Sequence, residues 1–468
     1  MRQTIFLFIV SFFAISAFSQ KIKGVVTDNT GKVLPYASVF IKEDNNGTTA
    51  NSEGKYSIKT APGQYTLVCQ YVGYKKEERK ITVGNADIEL NFILTQQEMT
   101  LGEVVIQNGE DPAYQIIRNT IKKKPFYESQ LDKFQCEVYT KGQMRVRGYP
   151  KKIFGQKVDF EDGDTSKQKM LYLSETVSNY SVDKPNKEKI EVISSKVSGQ
   201  SNGFGLSAPR FFSFYSNNVF IGENLNPRGF VSPIAENALN FYRYKLEGTY
   251  FEDGREISHI KVIPKRKYEP LFSGYIDIVV DDWRIHTVNL LLTKASQMQL
   301  IDTLRLEQLY RPLNKDVWYI SSQVVYPAVK ILGFDAYGSF VNVYSNFDAN
   351  PSFDKKTFNN TVLKFTDSSN KKTNEYWENA RPVPLMADEE KDYKRKDSLE
   401  IVRQDPHYMD SLSKLRNKVT VANVLVFGQT FFSERKRSSI NFPSLLEQAN
   451  FNPAEGWVAT LLLAGQKN

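Results

Sequence analysis

The sequence predicts a mainly β protein: an N-terminal β-sandwich, then a mostly antiparallel curved β-sheet domain with a few helices, then a helical hinge and an incomplete barrel start. Three observations carry this reading. Apolar and polar residues alternate in short runs from Ile22 onward, the period of a half-buried strand. Gly, Asn, Asp and Pro interrupt those runs at short intervals, as turns do. Aromatic residues make up 13% of the 468, a bias that suits pleated, packed surfaces.

Residues 1–19 read as a secretory signal peptide. Arg2 supplies the positive start, Ile5 to Ala17 is nearly all apolar, and Ala17 and Ser19 are the small residues that place the cut between Ser19 and Gln20. The apolar run is shorter than the roughly 20 residues a spanning helix needs. No Cys follows the cut, so a lipid anchor is not expected there. The formal charge of +8 is spread over short runs such as IKKKPF and SERKR, which read as solvated strand edges and turns. Export argues against nucleic acid as a partner and leaves anionic envelope surfaces open. Cys69 and Cys136 are expected as two buried free thiols, small core hydrophobes rather than a bridge.

Residues 20–106 read as the sandwich. Ile22 to Val26 form its first strand, Asp28 to Gly31 a turn, and Ala37, Val39 and Ile41 the inward side of the next strand. Asn45-Asn46-Gly47 is a hairpin turn. Tyr56 to Ile58, Tyr65 to Tyr71 and Ile88 to Leu94 complete about seven strands, with Leu101, Val104 and Val105 extending a last one. The residues Gly24, Asp28, Gly31, Leu34-Pro35, Gly47-Thr48, Gly54, Pro62-Gly63 and Gly73-Tyr74 resemble the carboxypeptidase-D-type regulatory-like domain, a transthyretin-like sandwich. The resemblance implies no peptidase activity, which in carboxypeptidases lies in a separate zinc domain. The three histidines, His259, His286 and His407, have no His or Glu neighbour at ligand spacing, so a zinc peptidase site is not expected.

Residues 107–129 read as a docking helix. Asp111 is its N-cap, Pro112 its first position, and Ala113, Ile116, Ile117 and Ile121 share one face. Its Lys-rich run is read as a basic C-terminal end that suits the dipole. Residues 130–380 return to strands and read as an antiparallel meander, with Asp281-Asp282 at a hairpin turn and both sheet faces partly apolar, hence covered on both sides. Within it, residues 202–240 form an aromatic-rich insertion ending in a helix from near Pro233. The pattern looks like the curved half-barrel of lipoprotein-carrier proteins, which implies a concavity for a lipid or an acylated protein. Residues 381–420 are charged and helix-prone, opened by Pro384 and broken at Asp405-Pro406. Residues 421–468 read as the start of an outer-membrane barrel, with Trp457 at the interface.

The whole order resembles a large family of uncharacterised bacterial outer-membrane proteins. Their pattern is a signal peptide, a regulatory-like sandwich, a middle domain of unknown function and a surface-antigen-type barrel. The matching residues include Asp111 to Tyr114, Ser232-Pro233, Gly274 to Asp277, Trp283, Arg381 to Leu385, Asn417-Lys418 and Glu455-Gly456. The family's long barrel would follow, and here the chain ends after about one strand. A lone strand cannot satisfy its backbone in lipid, so a truncated or split product, or a tail held by a partner, is expected.

No catalytic, cofactor or metal site is expected. His286 near Asp277 reads as a hydrogen-bonded structural histidine, Asp281-Asp282 as turn formers, Glu389-Glu390 as solvated helix residues, and Ser174 and Ser201 as lacking a nucleophile elbow. Thr303, Ser398 and Ser411 sit in Asp-Ser/Thr-aliphatic tripeptides that match a periplasmic O-glycosylation pattern. The reading is a non-enzymatic cell-envelope protein of the periplasm or outer membrane, acting in assembly, export or uptake, with outer-membrane or envelope proteins as partners. The alternative is a lipid- or glycan-binding module using Tyr242, Tyr244 and Trp283 as packing surface. A hydrolase is the distant third.

Overall fold

The computed structural model describes residues 20–468 apart from 44–45, 101–108, 154–155, 159, 161–163, 165, 200–210, 223–224, 355, 360, 422, 434, 437, 445–448, 453–455, 460–463 and 468. The leader with Ser19, the strand expected at Leu101 to Val105, Ser201, Glu455 and the side chain of Trp457 lie outside the described residues. The chain divides into two compact units, the larger taking in residues 1–159, 165–197 and 202–390.

The larger unit opens with a two-sheet sandwich, as the alternation predicts. Its strands are β1 (Gln20–Asp28), β2 (Ser38–Ile41), β3 (Gly47–Thr49), β4 (Lys55–Thr60), β5 (Gly63–Gln70), β6 (Glu77–Val83), β7 (Ile88–Glu89) and β8 (Phe92–Leu94). One sheet has the order β4-β1-β7 with β8 also on β1, and the other has β3-β2-β5-β6. The strand expected as one run from Ile88 to Leu94 is two short strands, both parallel to β1. Ile22, Val26, Val39, Ile41, Leu67 and Phe92 fill the space between the sheets, all fully buried. Gly24 lets the chain cross: a Cβ there would stand 1.8 Å from the Leu90 carbonyl oxygen, a separation only glycine avoids.

Helix α1 (Pro112–Ser129) follows, capped by the Asp111 carboxylate on Ala113 N–H at 2.9 Å. The same carboxylate accepts from the Leu246 amide, fixing the helix start against the sheet. Ala113 and Ile117 are buried as expected. The basic end is not: α1 runs on through Pro125, its last turn holds no basic residue, and Lys124 is buried mid-helix on the Asn217 side chain.

The body of the unit is one eleven-stranded sheet. It uses β9 (Lys133–Gly148), β12 (Lys169–Asp183), β13 (Lys187–Val197), β16 (Tyr242–Glu252), β17 (Arg255–Pro264), β18 (Ser273–Val279), β19 (Arg284–Thr293), β20 (Thr303–Pro312), β21 (Trp318–Ile331), β22 (Phe334–Asp348) and β23 (Leu363–Phe365). Their order is β16-β17-β18-β19-β20-β21-β22-β9-β12-β13-β23, antiparallel throughout except for the parallel edge strand β23. Two small hairpins branch from it, β10 (Lys152–Ile153) with β11 (Gln156–Lys157), and β14 (Asn218–Val219) with β15 (Phe230–Val231).

Both faces of this sheet are covered, as its apolar content on both sides predicts. One face packs against α1 and the segment from Phe212 to Ala238 in a core that includes Phe214, Phe230, Ile234, Phe272, Ile276 and Leu290. The helix expected from Pro233 is only α2 (Ala238–Phe241), because Tyr242 already belongs to β16. On the other face Tyr139, Val177, Val324, Val341 and Val343 pack with Tyr36 of the sandwich and with Trp377 and Val383. Trp377 lies on α3 (Asn374–Ala380), capped by Thr373.

Helix α4 (Ala387–Arg403) starts three residues after Pro384, not at it. The second unit takes in residues 160–164, 198–201 and 391–468. It holds most of α4, then α5 (Pro406–Arg416), whose N-cap Asp405 accepts from His407 and Tyr408 N–H. Its strands are β24 (Gln429–Ser433), β25 (Ser438–Phe442), β26 (Ala449–Asn452), β27 (Gly456–Ala459) and β28 (Ala464–Lys467), paired as β24-β25-β28 and β26-β27. Inside this unit the buried Asp392 carboxylate gathers Ser198 Oγ at 2.8 Å, Arg395 at 2.7 Å and Lys396 at 3.0 Å.

Candidate functional site

A concentration of buried polar chemistry lies where the sandwich meets the sheet. At its centre is Asp277 on β18. Its register opposite His259 of β17 sets His259 Nδ1 2.5 Å from one carboxylate oxygen. Tyr250 Oη and Thr287 Oγ1 donate to the other oxygen at 2.9 and 2.7 Å. His286, on β19, places Nδ1 3.4 Å from Tyr250 Oη and Nε2 3.0 Å from Glu252 Oε1. Gln70 of β5 donates to that same Glu252 oxygen at 3.0 Å, and Lys76 pairs with Asp253 at 2.5 Å. The sandwich is therefore bonded directly to the end of the histidine–carboxylate chain.

Electrostatics follow from burial and pairing. Burial pushes the Asp277 carboxyl up, but the hydrogen bonds from His259 and Thr287 and the nearness of His259 and His286 together outweigh it and leave the pKa lowered. Burial pushes His286 down, but the Glu252 carboxylate outweighs it and leaves that pKa raised. The network thus favours a charged histidine between carboxylates. Thr287 and Tyr250 both spend their hydroxyl protons on Asp277. The described residues show no Ser, Thr or Cys hydroxyl or thiol on a histidine nitrogen, and no cluster of three His, Cys, Asp or Glu side chains able to hold a metal.

Beside this network lies a cavity of about 360 Å³, lined by Phe40 and Lys76 from the sandwich and by His286, Arg311 and Trp318 from the sheet. The Arg311 guanidinium stacks on the Phe40 ring at 3.6 Å, across the same interface. A wider cleft of about 860 Å³ separates β1 and β4 from β9, β22 and the segment after α3. Lys21, Lys59 and Glu137 line it; burial raises the Glu137 pKa.

Under the cleft sit two buried ion pairs. Arg381 grips Glu175 through two nitrogens, at 2.5 and 2.7 Å, and Tyr139 donates to the same carboxylate at 2.6 Å. Burial pushes Glu175 up, and the charge and hydrogen bonds of Arg381, with the Lys141 charge and the Tyr139 hydrogen bond, together reverse it and leave the pKa lowered. Lys141 meets Glu389 at 2.6 Å, with the two side chains 4% and 0% exposed. Glu389 also accepts from the Met386 amide, closing the first turn of α4. The solvated reading of Glu389-Glu390 is thus corrected for Glu389 alone; Glu390 is exposed.

The other expected residues are structural where described. Gln20 opens β1 opposite Thr60. Asp281 occupies a left-handed turn position at φ 69°, and Asp282 pairs with Arg255 at 3.3 Å. Ser174 is buried in β12. Tyr242 and Tyr244, expected as ligand surface, point into the core and donate to the Val231 and Pro233 carbonyls at 2.5 and 2.7 Å. Trp283 belongs to the β18–β19 turn at φ 56°. Cys69 and Cys136 are buried free thiols. Ser398 and Ser411 are exposed on α4 and α5, whereas Thr303 is half-buried at the start of β20.

Residues 22–106 match the model of the CarboxypepD_reg-like domain, and residues 116–347 match that of a family of unknown function, DUF5686. The chain carries a regulatory-like sandwich followed by a DUF5686 domain. Among curated proteins, the TonB-dependent receptor SusC of Bacteroides thetaiotaomicron is 31% identical over 97 residues, 20% of this chain and 9% of the receptor. The TonB-dependent receptor P26 of Formosa agariphila is 39% identical over 92 residues, 19% of this chain and 9% of the receptor. The chain thus spans a tenth or less of the length of the receptors it matches. Among solved structures, a DUF1329 family protein from Desulfovibrio piger aligns over 54% of this chain and 100% of its own, at 12% identity and TM-score 0.22. A LolA superfamily protein from Nitrosomonas europaea aligns over 52% and 97%, at 11% identity and TM-score 0.20. At such scores the likeness says nothing about chemistry.

Proposed function

We propose that the protein is a non-enzymatic component of the cell envelope, exported to the periplasm and acting at the outer membrane in assembly, export or uptake. The observation that carries this is the sandwich itself. It matches the CarboxypepD_reg-like domain in a chain that is similar over about a hundred residues to TonB-dependent receptors, and it is bonded to the DUF5686 sheet through Gln70–Glu252, Lys76–Asp253 and Arg311–Phe40. Such a joint holds the two domains in a fixed relation, and its polar groups pair with one another across it. The partners in this reading are outer-membrane or envelope proteins.

The test is fractionation of the native organism. The protein is expected in the outer-membrane fraction, with a mature N-terminus at Gln20. Complete release by osmotic shock without detergent would overturn membrane association, and recovery with the leader attached in the cytoplasm would overturn export.

A second reading is a periplasmic lipid- or glycan-binding module. What favours it is the cleft of about 860 Å³, within the usual range of ligand pockets. The ligand would then lie between sandwich and sheet, not on Tyr242 and Tyr244. Native mass spectrometry of the gently purified protein should show bound lipid or sugar mass; a bare polypeptide mass would end this reading.

A further inference from the structure

Three consecutive hairpins end on the same rim of the large sheet: β17–β18, β19–β20 and β21–β22. Their tips are tied side by side. Gln297 Nε2 donates to the Tyr268 carbonyl at 2.8 Å, joining the first to the second, and the Lys330 amide donates to Asp302, joining the second to the third. Each tip holds a large apolar side chain out to solvent: Tyr268 is 67% exposed, Leu300 72% and Leu332 64%.

Folding gives no reason for leucine at two of these places. Leu300 has φ 63° and Leu332 φ 48°, left-handed conformations that disfavour leucine and suit Gly or Asn. An Asn there would relieve backbone strain and remove exposed apolar surface together. Strain kept at an exposed site is a reason to look for a use.

The charge around the tips says which use. Residues 264–272, 294–302 and 330–335 contain five Lys or Arg and three Asp or Glu. The opposite rim, residues 252–256, 280–284 and 312–317, contains three and six. The carboxylates on the tip rim pair with cations whose own side chains reach solvent: Arg266–Glu269, Lys294–Asp302, and Asp335 with both Lys330 and Arg147, ion pairs that contribute little each. Lys267 stands over the Tyr268 ring at 5.4 Å. Separate protruding side chains do not make the contiguous patch a protein partner needs. They do suit a lipid headgroup layer, where single apolar side chains dip in, a tyrosine ring sits at the interface, and lysines meet anionic phosphates.

The geometry points to this rim as a docking surface for an anionic phospholipid bilayer, with Tyr268, Leu300 and Leu332 entering the interface and Lys267, Lys294 and Lys330 facing the phosphates. The inference rests on the envelope reading only for which membrane is within reach.

The test is co-sedimentation of the purified full chain with vesicles of phosphatidylcholine alone or mixed with phosphatidylglycerol. Binding is expected to the mixed vesicles and to fall with added salt. The double variant Leu300→Asn/Leu332→Asn should bind about ten-fold more weakly or less while melting no lower than the parent. Lys267→Glu should weaken binding by at least about five-fold. Phe251→Ser, at the acidic rim, is the control and should bind as the parent does. Equal binding to both vesicle types, no binding to either, or full binding by the leucine double variant would overturn the inference. Failure here with the protein still in the outer-membrane fraction leaves the envelope reading standing; vesicle binding by a protein found in the cytoplasm does the reverse.

Discussion

Tyr36 of the sandwich and Ser339 of β22 share a buried hydrogen bond, Oη to Oγ at 2.7 Å, across 303 residues of sequence. Gln143 of β9 donates to both partners, at 3.2 Å to Tyr36 and 2.9 Å to Ser339. Tyr36 has a left-handed backbone at φ 63°, and its ring lies against Tyr326 with centroids 5.8 Å apart. One residue from the sandwich thereby satisfies two polar groups of the sheet. Tyr36→Phe keeps the ring and removes the bond, leaving Ser339 and Gln143 short of a partner. It should cost about 1–2 kcal/mol in urea unfolding. If the joint couples the domains, the variant should also broaden or split the transition; an unchanged midpoint would show that the bond contributes nothing.

The histidine network gives stability a defined pH dependence. His286 is held above its ordinary 6.5 in the folded chain, so its contribution is fully present below about pH 6.5 and is lost as pH rises through the folded value. Asp277 is held below its ordinary 3.8, so its contribution is present above about pH 3.8 and lost as pH falls through the folded value. Unfolding midpoints followed from about pH 5 to 8 should therefore drift down on the alkaline side. His286→Gln should flatten that drift, and Asp277→Asn should flatten the acid limb. A drift of equal slope in His286→Gln would assign it elsewhere.

Much of the fold was legible because its signals are local. Asp111-Pro112 starts α1 where the cap chemistry says, Asp405-Pro406 starts α5, and the hairpin at Asp281-Asp282 turns as its residues require. The joint was not legible, because its pairs are set by register and by tertiary packing. His259 and Asp277 could have been found by counting outward from the β17–β18 turn, which sets them opposite one another. Glu252 and His286 belong to strands that are not neighbours in the sheet, so no such count reaches them. Glu389 was misread because ADEEKDYKRK is charged all round. The buried residues Met386, Glu389 and Tyr393 nonetheless repeat at helical spacing, and the stripe accepts a carboxylate only because Lys141 meets it there.

The two thiols provide a check on packing. Cys69 lies in β5 and Cys136 in β9, and burial pushes both thiols well above their ordinary range. A thiol held protonated and shielded is a poor nucleophile. Maleimide labelling at neutral pH should be negligible in the folded protein and should reach both residues only in denaturant. Rapid labelling of Cys136 in native conditions would mean that the core beneath α1 opens far more readily than its packing implies.

Lys141 and Glu389 offer the sharpest separation of pairing from burial. Both charges are out of water, so the pair's attraction is offset by the cost of removing each from solvent. Removing one partner strands the other. Lys141→Met alone should cost about 3–5 kcal/mol in denaturant unfolding, and Glu389→Leu alone a similar amount plus the lost bond to the Met386 amide. The double variant replaces the pair by apolar contact and should recover most of the Lys141→Met loss. A double variant as unstable as the sum of the singles would mean that each residue is held independently, Lys141 by the Pro384 carbonyl at 3.4 Å and Glu389 by the first turn of α4.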